Sequence, residues 1–317
     1  MRITKKTAKE LIEVLDEIRR EFFKDKLQYQ FREWERKREK VKEKLQDLPR
    51  LVEEAASKVR VCKERGRDKK LNLAQRTMLF LFARLFGKSN RDMEFMLILL
   101  KPLFKIEISY KTIERLYSDE EVKACLHNLF LLLLDSKRKL DCAGDGTGYS
   151  LTITKNYRSN PKKRGKDFRY IFRVIDLDTG YVVGFGYSKN SEKEAFERAI
   201  AMLEEMGIKF SSIRLDKYYS SRKVIRRFGK GIALYLLPKR NISRLGLEWY
   251  RIFRAIIYDP FNFLREYFKR NLCESYFSSD KRRFGWVIRQ KREDRIEQAL
   301  FAITVLHNLF SVRVRVE

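Results

Sequence analysis

The order of secondary structure after residue 140 restricts the possible folds more than any other feature of this sequence. Apolar runs bounded by turn residues predict five strands, over residues 140–153, 168–176, 181–187, 212–216 and 232–237. Helical patterns separate the third, fourth and fifth strands, and another helical pattern follows the fifth. This order predicts one mixed five-stranded sheet with helices on its faces, a combination of α/β and α+β architecture.

The residues before this sheet are predicted to be helical. Leu11, Leu15 and Ile18 recur at three- and four-residue steps, which gives residues 1–70 an amphipathic and strongly basic character. We therefore expect a basic helical arm over residues 1–70. Such an arm is either a solvated surface or an element that contacts DNA or a second copy of the chain.

Residues 71–138 predict a helical domain of the helix-turn-helix kind. An apolar helix stops at Gly87, a second helix begins at the capping residue Ser89, and a short basic helix covers residues 109–117. Three helices that end in a polar, basic one are typical of DNA-binding domains. An ordinary helical bundle is the alternative. The candidates for contact with a DNA groove are Tyr110, Lys111, Thr112 and Arg115.

Charge and composition point to a polyanionic partner. The chain has 71 Lys and Arg against 43 Asp and Glu, a net charge of +28, and such an excess opposes compaction unless a polyanion balances it. Four scattered cysteines exclude a disulfide framework, and two histidines are too few for a histidine metal site. We see no signal peptide and no apolar run of membrane-spanning length, so we expect a cytoplasmic protein without membrane contact.

Three acidic residues occupy informative places in the predicted sheet. Asp145 lies in the first strand, Asp216 ends the fourth, and Glu274 lies on the helix after the fifth. These segments are neighbours in the ribonuclease H-like order that the predicted elements match, so the three carboxylates can converge. Carboxylates without histidine or cysteine suit Mg²⁺ or Mn²⁺, and two such ions can act on a phosphodiester. Asp141 competes with Asp145 for the first position, and the Asp-Gly-Thr context favours Asp145.

Two segments that contain basic residues lie near these acids in the sequence. Tyr267, Arg270, Glu274 and Lys281 have spacings that place them within a narrow arc of one continuous helix. Arg270 and Lys281 are then expected to bind DNA phosphates beside the metal ligand. The sequence predicts a basic loop over residues 154–167, which either binds phosphate or is solvated. Its central cations are Lys162, Lys163 and Arg164.

These residues resemble the DDE transposases of bacterial and archaeal insertion sequences. The resemblance is to the group with a Tyr-Arg-Glu-Lys signature, which corresponds here to Tyr267, Arg270, Glu274 and Lys281. It extends to Asp145-Gly146-Thr147, to the segment that follows Asp216, and over roughly residues 140–310. The resemblance implies a ribonuclease H-like catalytic domain at residues 139–317. It also implies two divalent metal ions on Asp145, Asp216 and Glu274, with DNA contacts from Arg270 and Lys281.

The implied function is DNA transposition. The resemblance implies hydrolysis at the transposon ends, transfer of the freed 3′-hydroxyl into target DNA, a homodimer or larger assembly on DNA, and a place at the nucleoid. Many members carry a large β-rich insertion before the glutamate helix, whereas the sequence here is short and helical, so no hairpin intermediate is inferred. The alternatives are a ribonuclease H-like nuclease without strand transfer and a domesticated, non-catalytic DNA-binding protein.

Overall fold

The computed structural model describes residues 4–22, 31–60, 69–104, 107–134, 139–151, 168–229, 231–239 and 246–312. Up to residue 134 the described chain is helical, as predicted. Its helices are α1 (Lys5–Phe22), α2 (Phe31–Gln46), α3 (Leu48–Ser57), α4 (Leu73–Phe86), α5 (Asn90–Leu99), α6 (Lys101–Phe104), α7 (Tyr110–Leu116) and α8 (Glu120–Leu133). Among the described residues, no helix combines the length and apolar character needed to span a bilayer.

Strands and helices then alternate, which confirms the predicted mixed α/β order. The strands are β1 (Leu140–Leu151), β2 (Phe168–Asp176), β3 (Val182–Ser188), β4 (Phe210–Leu215), β5 (Ala233–Leu236) and β6 (Val287–Ile288). The helices are α9 (Glu192–Glu205), α10 (Arg222–Arg227), α11 (Leu247–Tyr258), α12 (Pro260–Phe268), α13 (Asn271–Phe284) and α14 (Glu293–Phe310).

The described strands form one mixed sheet with the order β3-β2-β1-β4-β5. β2 is antiparallel to β1 and β3, whereas β4 runs parallel to β1 and β5. The predicted number of five strands is wrong, because β6 also pairs with β1, in parallel. β6 has two residues, too few for any periodicity in the sequence to mark a strand.

One edge of β1 has a gap in its strand pairing. On the side opposite β2, β1 pairs with β4 up to Gly144 and with β6 from Ser150. Within the described residues, no strand pairs with residues 145–149 on this side. Helix α13 packs against β1, and Lys281 Nζ donates to the carbonyl oxygen of Gly148 at 3.0 Å. A helix therefore takes the place of a strand along this part of the central strand.

Both faces of the sheet are buried, so its central strands are apolar on both sides. In β2, Ile171 and Ile175 lie in one core, and Phe172 and Val174 lie in the other. The first core contains residues of α3, α4, α5, α7, α8, α13 and α14. The second contains residues of α1, α9, α10, α11 and α12. Burial on two faces explains the nearly continuous apolar strands in the sequence.

Helix α14 joins the helical region to the sheet. It is buried almost continuously from Ile296 to Leu309 and contacts α4, α8 and β3. A helix that is buried all round belongs in the interior of a domain. Because the first core draws on residues from both parts of the chain, the boundaries at residues 71 and 139 stay predictions.

A buried charge network fixes α13 and α14 to the sheet. Arg173 of β2 donates from Nη1 to Asp280 Oδ2 at 2.5 Å and from Nε to Thr304 Oγ1 at 3.1 Å. His307 Nδ1 lies 3.0 Å from Asp280 Oδ1. Arg173 and Asp280 are both only 1% exposed. The network therefore sets the position of α13 relative to the sheet.

We expect Asp280→Ala to destabilise the chain by about 3–5 kcal/mol, because it leaves the buried guanidinium of Arg173 without its carboxylate. Urea unfolding measures the free-energy change. Ser279→Ala is the control, since Ser279 is the exposed neighbour on the same helix. A loss below about 1 kcal/mol for Asp280→Ala would contradict this account of the network.

Candidate active site

The register of two parallel strands brings Asp145 and Asp216 together. Gly144 of β1 pairs with Leu215 of β4, and this is the last pair between these strands. Asp145 and Asp216 are the next residue on each. Because β1 and β4 run in the same direction, both aspartates lie at the carboxyl end of the strand pair, where α/β sheets commonly bind ligands.

Backbone N–H groups orient both aspartates. Asp145 Oδ1 accepts a hydrogen bond from the N–H of Gly146 at 2.9 Å. Asp216 Oδ1 accepts one from the N–H of Tyr218 at 2.7 Å and so caps a short 3-10 turn, Lys217–Tyr219. In each aspartate, the second carboxylate oxygen faces another partner.

That partner is Arg270, which also contacts Glu274. Arg270 Nη1 lies 3.3 Å from Asp145 Oδ2 and 3.1 Å from Glu274 Oε1, and Nη2 lies 3.2 Å from Asp216 Oδ2. The two aspartate side chains are mostly buried, and that of Glu274 is 59% exposed. Three acids from separate segments therefore surround one positive charge at the surface of the molecule.

The four signature residues, predicted to lie on one continuous helix, do not share one helix. α12 ends at Phe268 and α13 begins at Asn271, so Tyr267 lies on α12 and Arg270 directly precedes α13. The prediction of one continuous helix is therefore wrong. Glu274 and Lys281 do lie together on α13.

The helix is interrupted where the chain passes from one face of the sheet to the other. Phe263 and Leu264 of α12 lie in the second core, whereas Cys273 and Phe277 of α13 lie in the first. One straight helix cannot pack on both faces of a sheet. Arg270 lies at this crossing, which explains how its side chain reaches the carboxyl ends of β1 and β4.

Tyr267 and Lys281 extend the site in different ways. Tyr267 is 4% exposed, and the guanidinium of Arg270 lies 5.6 Å from the centre of its ring. Lys281 Nζ donates to Thr147 Oγ1 at 2.6 Å and lies 5.0 Å from the ring centre of Tyr149. Lys281 thus contacts the same strand that carries the first aspartate, whereas the ring of Tyr267 lies against the guanidinium of Arg270.

Burial raises the pKa of Asp145 to about 7. The N–H of Gly146 and the charge of Arg270 lower this pKa, but the negative charges of Asp216 and Glu192 raise it. The raised pKa is therefore mainly an effect of burial, and the neighbouring carboxylates add to it. With all of them ionised, three acids surround one guanidinium, so the site has an excess of negative charge.

The structure does not bring the other predicted cations to these carboxylates. Lys111 and Arg115 are exposed on α7, and Glu114 of the same helix pairs with Arg295 of α14 at 2.5 Å. The loop cations are outside the described residues; they are Lys162, Lys163 and Arg164. Their roles stay predictions.

Asp141, the competing acid, has structural partners instead. Its carboxylate accepts hydrogen bonds from Arg214 Nη1 and from the hydroxyl of Ser212. Arg214 is 2% exposed and also pairs with Glu266 of α12. Asp141 therefore neutralises a buried arginine and does not face Arg270.

Sequence reasoning missed Glu192, the first residue of α9. Its carboxylate accepts a hydrogen bond from the hydroxyl of Tyr219, and its side chain packs over Gly146. An acid in the first turn of a helix is common for dipole reasons alone, so its position gave no signal. Gly146, which follows Asp145, was the sequence signal that could have indicated the close approach of another group to β1.

An open groove of about 720 Å³ begins at Glu274 and follows the exposed side of α13. Hydroxyl and guanidinium groups line it, and both can donate hydrogen bonds to phosphate. The lining residues are Glu274, Ser275, Ser278, Ser279, Arg282 and Arg283.

Comparison with known proteins identifies the family. No protein-family model matches the chain. The chain is, however, 61% identical over 315 residues to a protein of Archaeoglobus fulgidus described as "Probable transposase for insertion sequence element ISA1214", with 99% of this chain and 98% of the relative covered. The chain belongs to the insertion-sequence transposases. The transposase part of the resemblance noted in the sequence is thereby confirmed.

The donor atoms of this transposase suit a hard divalent metal ion. Asp145, Asp216 and Glu274 offer only oxygen, which Mg²⁺ and Mn²⁺ prefer. Burial raises the pKa of the nearby Cys273 thiol far above its usual range, so no thiolate competes. As they stand, with Arg270 between them, the described acidic, cysteine and histidine side chains form no group of three close enough to share one ion.

We expect Asp145→Asn to stabilise the transposase at pH 8 by roughly 2–4 kcal/mol, because a raised pKa means that ionisation of Asp145 costs folding free energy. The cost is absent below pH 4, where the carboxyl is protonated in both states, and grows as pH rises to about 7. The gain from Asn should therefore shrink between pH 7 and pH 4.

Urea unfolding at pH 4, 6 and 8 measures this gain. Glu205→Gln, an exposed substitution on α9, is the control and should show no comparable pH dependence. If Asp145→Asn were less stable than the wild type at pH 8, ionisation of Asp145 would not cost folding free energy.

Proposed function

We propose that this chain is a DDE transposase with a ribonuclease H-like catalytic domain and a helix-turn-helix DNA-binding region. The observation that carries the proposal is the convergence of Asp145, Asp216 and Glu274 within 3.1–3.3 Å of one guanidinium. The mixed sheet, the acids at its carboxyl edge and the name of the relative support the same conclusion.

In this proposal Asp145, Asp216 and Glu274 hold two Mg²⁺ or Mn²⁺ ions. Ions bound there activate an attacking oxygen and stabilise a leaving one. Arg270 cannot serve three carboxylates and a phosphate with the same two nitrogens. Once the carboxylate charge is balanced, its guanidinium donates to a phosphate of the scissile strand, which it can bind with two parallel hydrogen bonds.

Two displacements at phosphorus account for the reaction. In the first, a water oxygen forms a bond to phosphorus at the element end, and the bond to the 3′ oxygen breaks. In the second, that 3′-hydroxyl forms a bond to a phosphorus of target DNA, and the target's own 3′ oxygen leaves. Neither step needs a covalent protein–DNA intermediate. Because residues 247–268 are helical in α11 and α12 rather than β-rich, we propose no hairpin route.

DNA occupies the groove along α13 in this proposal. Lys281 supports β1 beside the first aspartate, and Arg282 provides a phosphate contact farther along the helix. Lys111 and Arg115 contact a groove of the element end. Two ends must be joined, so we propose a homodimer or larger assembly on DNA, at the nucleoid.

We expect Asp145→Ala, Asp216→Ala and Glu274→Ala each to reduce Mg²⁺-dependent strand transfer at least about 10²–10³-fold, because each removes charge that acts on the transition state. The assay uses a pre-cut element end with a free 3′-hydroxyl and a target plasmid. Glu205→Gln is the matched control.

The same assay separates the alternatives. Wild-type cleavage of an uncut element end, without joining of the pre-cut end to the target, would favour a ribonuclease H-like nuclease. Binding of element ends with neither reaction would favour a non-catalytic DNA-binding protein. Unchanged strand transfer in Asp145→Ala would overturn the proposed site.

We expect Arg282→Ala to weaken binding to DNA regardless of sequence and to reduce the slope of log affinity against log salt by about 0.9, the value for one duplex phosphate contact. Fluorescence anisotropy at several salt concentrations measures both. Arg198→Ala is the control, because Arg198 is exposed on α9 and pairs with Glu194 at 2.7 Å. Equal slopes for both variants would argue against DNA in the α13 groove.

A further inference from the structure

The side chain of Glu192 fills the space above Gly146. A Cβ atom on Gly146 would lie 2.2 Å from Cγ and 2.3 Å from Cδ of Glu192, far inside van der Waals contact. Gly146 has no positive φ, so its backbone does not require glycine. A larger residue at this position would have to displace the side chain of Glu192, directly beside Asp145.

Glu192 and the carboxylate of Asp145 lie on opposite faces of β1. Successive side chains of a strand point to opposite faces, so Asp145 and the missing side chain of Gly146 face opposite sides of β1. Ala143 and Tyr149 share the parity of Asp145 and lie in the first core. Glu192 begins α9, which packs against the other face.

The hydroxyl of Tyr219 connects Glu192 to the second aspartate. It donates to Glu192 Oε1, and its ring lies 5.1 Å from that of Phe172 and 5.0 Å from that of Phe196. Tyr219 is 2% exposed, so its hydroxyl has little freedom. Its backbone N–H donates to the carbonyl oxygen of Asp216 at 2.9 Å.

Glu192 is not needed to cap α9. Ser191 is the N-cap, and its hydroxyl accepts from the N–H of Glu194 at 3.2 Å. A glutamate next to a satisfied cap commonly extends into solvent, yet Glu192 turns toward β1 and the turn after β4. Its contacts are therefore made with the two aspartate segments rather than with its own helix.

We propose that Glu192 is a positioning residue that, with Tyr219, fixes the separation between the segments carrying Asp145 and Asp216. The inference rests on the proposed function, because that separation matters if the aspartates share metal ions. Residues that orient metal ligands typically change metal affinity 10–100-fold when they are lost.

Thermal unfolding of the full chain at increasing Mn²⁺ tests the proposal without DNA or turnover. We expect Glu192→Ala and Tyr219→Phe to raise the Mn²⁺ concentration for half-maximal stabilisation about 10-fold or more. Glu192→Gln should stay within about threefold of wild type, because its amide oxygen still accepts from Tyr219. Glu197→Gln, on the same helix but paired with Arg227 and Lys223, should match wild type.

A second substitution tests the contact with glycine. Gly146→Ala should raise the Mn²⁺ requirement like Glu192→Ala, since the new methyl group displaces Glu192. In the double variant, Glu192→Ala removes the clash, so the requirement should be no higher than in Glu192→Ala alone. An additive increase would overturn the packing argument.

The outcomes separate this proposal from the proposed function. Mn²⁺ stabilisation that follows the expected pattern, without strand transfer by the wild type, would support the positioning role and reject transposition. If Glu192→Gln raised the Mn²⁺ requirement as much as Glu192→Ala did, while Tyr219→Phe left it unchanged, the charge of Glu192 would be what matters. That result would overturn the positioning role. Absence of any Mn²⁺ shift in the wild type would overturn the role at a metal centre.

Discussion

The contact of one guanidinium with three carboxylates is the constraint on which the rest of this structure depends. Like charges that are removed from water repel strongly and need a compensating cation. Arg270 provides part of that compensation, at 3.1–3.3 Å from each acid. The register of β1 with β4 places two of the acids, and the crossing from α12 to α13 delivers the arginine and the third. The carboxyl ends of β1 and β4 and the interruption between α12 and α13 thus together place three acids around one arginine.

Two buried arginines show how this site differs from structural ion pairs. Arg173 is matched by Asp280, and Arg214 by Asp141 and Glu266. In both cases the cation is buried, and its acids also have further partners: His307 contacts Asp280, and Lys269 pairs with Glu266. Around Arg270 the acids outnumber the cation three to one, and one of them is exposed. That imbalance, rather than burial or the mere presence of acids, distinguishes a site that can accept a ligand from one that holds the fold together.

Much of the fold, and the convergence of Asp145, Asp216 and Glu274, was predictable from the sequence. Apolar runs bounded by turn residues located the strands, the capping residue Ser89 located the start of α5, and the strand order located Asp145 and Asp216. The interruption before α13 was not predictable, because no Pro or Gly occurs at residues 267–271 and its cause is which face of the sheet each helix covers. β6 is too short for a pattern, and Glu192 acts through contacts with distant segments. A short segment of sequence does not specify which face of the sheet its helix will cover, because that depends on packing against distant parts of the chain.

The gap along β1 between β4 and β6 leaves five consecutive residues of the central strand, 145–149, without a strand partner on that side within the described chain. At about 3.4 Å per residue this stretch is about 17 Å long. Helix α13 packs against it, and Lys281 Nζ of that helix donates to the carbonyl oxygen of Gly148 at 3.0 Å. The same helix carries Glu274, so a shift of α13 along β1 would move the third acid relative to Asp145. The position of that acid is therefore coupled to the contact that covers the unpaired part of the central strand.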